Sequence, residues 1–137
     1  TAEQAKQLLG DAYRLYVLGL EASHSQETVD FVETIKANVG ELLDDPNLSP
    51  DLLADRVHLS TNHVRRVFKE YTGISLSSYI TNERISRCKD LLVNTDLTVK
   101  EIYRKAGFSN YSNFFTTFKR VAGQTPGDYR QTNSFAS

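Results

Sequence analysis

Two stretches of this chain are versions of one another, and that repeat restricts the possible folds more than any other feature. Leu48 to Tyr79 reads LSPDLLADRVHLSTNHVRRVFKEYTGISLSSY, and Leu97 to Arg130 reads LTVKEIYRKAGFSNYSNFFTTFKRVAGQTPGDYR. Leu48, Leu59 and Ser60 match Leu97, Phe108 and Ser109 at an offset of 49 positions. Phe68, Lys69, Gly73 and Tyr79 match Phe118, Lys119, Gly123 and Tyr129 at an offset of 50, which places one inserted residue early in the second copy's second helix. Two units are too few for a solenoid at this period.

Within a unit the pattern is helix, tight turn, helix. In the second copy Thr98 is an N-cap with Glu101 three residues on, the form of a capping box. Ile102 and Ala106 give that helix its buried stripe, Gly107 stops it in a left-handed turn and Phe108 plugs the turn. From Asn110 a second helix runs with Tyr111, Phe114, Phe115, Phe118 and Val121 at the spacing of an apolar face. Gly123 closes it, and Thr125-Pro126 starts one more short helix. An antiparallel helix pair would bury the same stripes. The layout is also that of a helix-turn-helix, which lays its second helix in a DNA major groove, and the duplication favours a pair of such readers.

The first copy supplies the matching surface. Ser49 caps its first helix with Pro50 at N1, Leu52, Leu53 and Val57 are its buried residues, and Leu59 fills the turn. Its second helix, about residues 60–72, has Val64, Val67, Phe68 and Tyr71 on the inner stripe and Thr61, Asn62, Arg65, Arg66 and Lys69 on the opposite side. Arg donates two hydrogen bonds to guanine O6 and N7, and Asn does the same to adenine N6 and N7. Arg65 and Asn62 are therefore the expected base readers, Arg66 the third, and Lys69 a phosphate contact; an ordinary wet helix face is the alternative. In the second copy the outward residues are Ser112, Asn113, Thr116, Lys119 and Arg120. Tyr111 stands at that helix's start, and Phe115, if it faces out, could touch a thymine methyl. No Arg stands at the place of Arg65, so the second unit is expected to be the weaker reader.

Charge supports a polyanion partner. The net charge is −1, but residues 1–55 hold 3 Lys and Arg against 11 Asp and Glu, a net of −8, whereas residues 56–137 hold 13 against 6, a net of +7. The single cysteine, Cys88, excludes an internal disulfide and a multi-Cys zinc site, and reads as a small core residue. His24, His58 and His63 share no metal spacing with it, no glycine-rich phosphate loop occurs, and no carboxylate pair sits in an acid/base context. The expectation is a non-enzyme without cofactor or metal.

The whole chain reads as all-α: two helix-turn-helix subdomains joined by a long connector helix, with an extra N-terminal helix. That first helix covers about Ala2 to Leu20, with Ala5, Leu8, Leu9, Ala12, Leu15 and Tyr16 on one side and Gly10 and Gly19 weakening it. It would pack on the rest, form a dimer contact, or act as a strut to a missing upstream domain, and the polar break at Ser23 to Gln26 is the linker. A helix of about Glu27 to Leu43 presents Val32, Ile35, Val39 and Leu42, and Asp44 to Asn47 ends it around Pro46. The expected divisions are residues 1–26 for helix and linker, 27–132 for the DNA-binding domain and 133–137 for a tail. The helix-turn-helix units fall at about 48–73 and 97–123. The connector, about 75–93, carries Leu76, Tyr79, Ile80, Ile85, Cys88, Leu91 and Leu92 on more than one side; its expected job is spacing. The Thr1 start, the absence of Met and the lack of a secretory or membrane-spanning segment read as a piece of a longer protein.

These residues also carry a family resemblance. Leu97–Arg130, with its E-I-x3-A-G-F-S…F-x3-F-K-R-x2-G-x-T-P-x-x-Y-R pattern, resembles the signature of the AraC/XylS transcription regulators, as do the first unit and the connector run Arg84 to Leu92. The likeness spans roughly residues 28–131. It implies seven helices in two helix-turn-helix subdomains and sequence-specific promoter binding in a bacterial cytoplasm. It places Asn62, Arg65 and Arg66 where the family reads bases in the first unit, and Ser112, Asn113 and Thr116 in the second. Tyr103 and Cys88 stand where the family usually has Ala, and Thr116 where many members have Arg. Such modules are usually attached to a ligand-binding, receiver or membrane-spanning sensor domain, so the parent protein could be membrane-anchored. The alternative is a helical interaction module contacting RNA polymerase or a partner subunit. A DNA-repair enzyme with a similar unit would need a reactive-cysteine domain, which this sequence lacks.

Overall fold

The computed structural model describes residues 25–133, and among these there are seven helices and no strand. Helix α1 spans Gln26–Leu42, α2 Pro50–Val57, α3 Thr61–Thr72, α4 Leu76–Asn94, α5 Val99–Lys105, α6 Tyr111–Ala122 and α7 Pro126–Asn133. The expected helix over residues 2–20 lies outside the described residues, as do residues 134–137.

Local chemistry sets the ends. Ser25, Ser49, Ser60, Ser75, Thr98 and Asn110 each cap the helix that follows by accepting a backbone N–H, and Thr98 with Glu101 closes a full capping box. Gly73 and Gly123 end α3 and α6 in the left-handed conformation. α2 ends at His58, which takes φ +60 where the second unit has Gly107 at φ +98. α3 and α6 are both 12 residues long. The inserted residue therefore sits in the turn ahead of the Asn110 cap, not inside the second helix as the sequence comparison suggested.

Two cores form, one per unit, and α4 contributes to both. The first gathers Val32, Ile35, Val39, Leu43, Leu48, Leu53, Ala54, Val64 and Phe68 around Leu76 and Ile80. The second gathers Ile102, Tyr103, Ala106, Phe108, Phe114 and Phe118 around Ile85, Cys88 and Leu92. Cys88 is fully buried, and desolvation pushes its thiol up to about 12, as befits a packing residue. Tyr103 fills the space between α5 and α6: its ring stacks on Phe114 at 5.7 Å and meets Tyr111 edge-on at 5.4 Å.

Several packing expectations change. Leu43 is buried where Leu42 was expected, because Val32, Ile35, Val39 and Leu43 continue one 3.6-residue stripe and Leu42 falls on its flank. Pro50 and Ala54 join Leu53 as the buried residues of α2, in place of Leu52 and Val57, which are half-buried. Leu59 does not fill its turn: it is 42% exposed on a groove it shares with Phe31, His63 and Val67, whereas the larger Phe108 reaches Phe114. Tyr111 and Val121 are 39% and 37% exposed, at the edges of the α6 stripe whose centre is Phe114 and Phe118.

Two arginines, one per unit, tie helix ends to the next packed helix. Arg84 of α4 donates from Nε to the Leu43 carbonyl at 3.2 Å and from a terminal nitrogen to the Asp45 carbonyl at 2.7 Å. Arg130 of α7 donates likewise to the carbonyls of Leu92 and Thr95, at 2.9 and 3.1 Å. The carbonyls of Leu43, Leu92 and Thr95 are ones that a helix C-terminus leaves open, while that of Asp45 also accepts the Leu48 amide in the turn. Arg84→Met keeps the aliphatic stem and removes the donors; it should cost about 1.5 kcal/mol and lower the cooperativity of urea unfolding. Arg130→Met should cost a similar amount through the second unit alone. Equal loss of cooperativity in both would refute this division of labour.

Candidate nucleic-acid interface

α3 and α6 turn their apolar stripes inward and leave one polar side each to solvent. On α3, Val64 and Phe68 are fully buried, while Asn62, Arg65, Arg66 and Lys69 are exposed. On α6, Phe114 and Phe118 are fully buried, while Ser112, Asn113, Thr116, Lys119 and Arg120 are exposed. Both helices are held at their first turn, Ser60 accepting from the His63 amide at 3.1 Å and Asn110 from the Asn113 amide at 2.8 Å. A capped helix start braced on a core presents its first two turns rigidly, which recognition requires.

The predicted site residues of α3 differ in how free they are. Thr61 is half-buried, and its hydroxyl donates to Asp51 Oδ1 at 2.7 Å, binding α3 to α2. Arg66 is held along its own helix, 3.1 Å from His63 Nδ1 and 3.8 Å from Glu70. Both contacts are exposed and weak. His63, unassigned from sequence, packs its ring against Phe31 of α1 at 6.1 Å. Asn62, Arg65 and Lys69 carry no side-chain hydrogen bond or ion pair among the described residues, so their donors are free for a ligand.

On α6 the side chains of Ser112, Asn113, Thr116, Lys119 and Arg120 are equally without partners among the described residues. Phe115, which aligns with Arg65, is half-buried against the second core with its ring 6.1 Å from Tyr111. It does not stand clear of the helix as Arg65 does. Tyr111 leans on Tyr103, Phe114 and Phe115 and keeps one side to solvent.

The two helices border the same side of α4. Arg65 and Lys69 line a cleft with Ser75, Leu76 and Ser77, and Arg120 lines a second cleft with Ser77, Ser78, Thr81 and Asn82. Ser77 belongs to both, so the cationic side of α3 and the cationic end of α6 meet across one short run of α4. No carboxylate lines either cleft. Glu27 and Asp30 of α1 line a separate groove, beside Phe31 and Leu59. Sequence reasoning missed the α4 residues, although Ser77, Ser78, Thr81 and Asn82 share one side of a helix by spacing. Among the described residues no three His, Cys, Asp or Glu could hold a metal, and no helix is long and apolar enough to cross a membrane.

Comparison with known proteins places this arrangement. The sequence model of a helix-turn-helix domain family matches residues 53–132. The bifunctional transcriptional activator/DNA repair enzyme AdaA of Bacillus subtilis is 36% identical over 112 residues, 81% of this chain and 51% of that protein. The C-terminal domain of the two-component response regulator yesN from Fusobacterium nucleatum superposes with a TM-score of 0.70 at 31% identity, covering 72% of this chain and 95% of that one. The DNA-binding domain of AdpA, a global transcriptional factor solved in complex with a target DNA, superposes with a TM-score of 0.69 at 25% identity, covering 74% and 90%. The chain spans 11% to 51% of the length of the first curated relatives it matches.

Proposed function

Because the chain belongs to the AraC/XylS family of helix-turn-helix regulators, we propose that it reads a promoter with both units at once, α3 and α6 occupying successive major grooves of one duplex. The family module is a DNA-binding domain of transcription factors and not an enzyme. The observation that carries the two-groove reading is the shared border: Arg65 and Lys69 of α3 and Arg120 of α6 flank the same acid-free stretch of α4. Two reading helices on one side of a rigid connector can engage grooves that recur every ~34 Å.

In this reading Arg65 and Asn62 contact base edges in the first box, with Arg66 released from Glu70 as a third donor. Asn113, Ser112 and Thr116 serve the second box, and Lys69, Lys119 and Arg120 neutralise phosphate. Tyr111 and Phe115 contribute apolar contact beside them, and Thr61 supports the start of α3. Selection of bound sites from randomised duplexes should return two boxes about 10 base pairs apart. With about three phosphates neutralised, affinity for that site should fall about 40-fold between 50 and 200 mM salt. Recovery of a single box, or binding indifferent to salt, would overturn the reading.

The wider protein follows the same family logic: a sensor domain upstream and a cytoplasmic parent, anchored or free, with the segment of about residues 2–20 as a candidate dimer contact. A contact with RNA polymerase or a partner subunit is the second reading. It is favoured by the groove of Phe31, Leu59 and Val67 rimmed by Glu27 and Asp30, which no DNA backbone would approach.

A further inference from the structure

The cleft between α4 and α6 has no part in base reading, yet it has the chemistry of a contact surface. It measures about 140 Å³ and is lined by Ser77, Ser78, Thr81, Asn82 and Arg120. Through Ser77 it runs into the cleft of about 210 Å³ that Arg65 and Lys69 border. None of the side chains of Ser77, Ser78, Thr81, Asn82, Arg65, Lys69 or Arg120 makes a hydrogen bond or ion pair among the described residues. The joined clefts thus carry three cations, several hydroxyls and an amide, without a single carboxylate, in a chain whose net charge is −1. Guanidinium, hydroxyl and amide donors converging without acid are the set that binds phosphate oxygens.

Position narrows the ligand to one source. With α3 and α6 in neighbouring major grooves, the sugar–phosphate strand between those grooves must cross the gap between the two helices. The floor of that gap is the Ser77–Asn82 side of α4. Resting on the two-groove reading, we propose that Ser77, Ser78, Thr81 and Asn82 of the connector helix, with Arg120, seat the backbone phosphates between the two boxes. α4 is then a third DNA-contacting element as well as a spacer, and its register on that strand fixes the separation of the boxes that the chain accepts. Phosphate contacts position a protein without reading sequence, so this seat adds affinity and register but no base preference.

The test uses the full chain and a duplex recovered from randomised DNA. Replacing the phosphates between the boxes one at a time by uncharged methylphosphonates should weaken binding of the unaltered chain about fivefold at one or two positions, the equivalent of about 1 kcal/mol each. The double variant Thr81→Val/Asn82→Ala should bind about tenfold more weakly on matched and singly mismatched sites alike, and should no longer sense those methylphosphonates. Arg120→Gln should lower the slope of log affinity against log salt by about 1. A methylphosphonate scan of the unaltered chain that is flat between the boxes overturns the proposal, and it does not depend on any variant folding. A double variant that loses affinity only for the matched site overturns it too, by showing a base contact instead. Failure of the unaltered chain to enrich any duplex would overturn the two-groove reading itself, and is thereby distinguishable from failure of the seat alone.

Discussion

Gly107→Ala is expected to be severely destabilising, costing about 4 kcal/mol or more. Two costs add. Gly107 has φ +98, where an L side chain is strained by about 1–2 kcal/mol. A Cβ there would stand 2.1 Å from the Leu43 carbonyl oxygen and 2.8 Å from Arg84 Nε. The first of these neighbours is backbone at the end of α1 and cannot swing away. The second can move only by giving up its hydrogen bond to that same carbonyl. Relief therefore requires the turn of the second helix-turn-helix to lift off the first unit. Gly73 and Gly123 provide the controls: their φ values are +86 and +82, but an added Cβ meets nothing within 4 Å. Alanine at either should cost only about 1–2 kcal/mol, the backbone share alone. Urea unfolding of the three variants side by side decides the matter. A Gly107→Ala chain no less stable than the other two would show that the turn does not couple the units.

This junction marks the limit of what the sequence disclosed. The repeat, the caps at Ser49 and Thr98, the left-handed stop at Gly107 and the inward phenylalanines were legible because each is a local pattern of few residues; Ser60 and Asn110 read only as helix starts, and their capping role is seen in the structure. The polar sides of α3 and α6 were legible for the same reason, and the exposed Asn62, Arg65, Lys69, Asn113 and Thr116 stand where spacing put them. What was not legible depends on contacts distant in sequence. Arg84 reaches carbonyls 41 and 39 residues before it, and nothing in its neighbours foretells that. The exposure of Leu59 and Tyr111 depends on how far a side chain reaches across a turn, a matter of shape rather than pattern. Pairing of Arg66 with His63 and Glu70 could have been anticipated from i, i+3 and i, i+4 spacing, and it separates two adjacent arginines that sequence alone treats alike.

That separation bears on which unit discriminates between DNA sequences. Arg65 stands free on α3, and its counterpart Phe115 on α6 is drawn towards the second core. Arg66 aligns with Thr116, and Glu70, which restrains Arg66, aligns with Arg120. In the proposed reading the first unit therefore offers a bidentate donor to bases, while the second exchanges that donor for cationic charge at the end of its helix. Arg65→Ala should weaken binding to a matched site about 30-fold, some 2 kcal/mol, and flatten preference at the base pair it contacts. Thr116→Ala should cost about threefold, because one hydroxyl gives at most one neutral hydrogen bond of about 1 kcal/mol or less. Arg66→Ala should fall between them, since part of its gain on DNA is offset by release from Glu70. Each variant is titrated on the matched site and on sites mismatched in one box at a time. If, as proposed, Arg65 and Thr116 act on different boxes, their effects should add within about 0.5 kcal/mol in the double variant. A larger loss at Thr116 than at Arg65 would reverse the assignment and make α6 the discriminating helix. Strong non-additivity would mean that the boxes are not read independently, and that the connector transmits strain between the two units in addition to holding them apart.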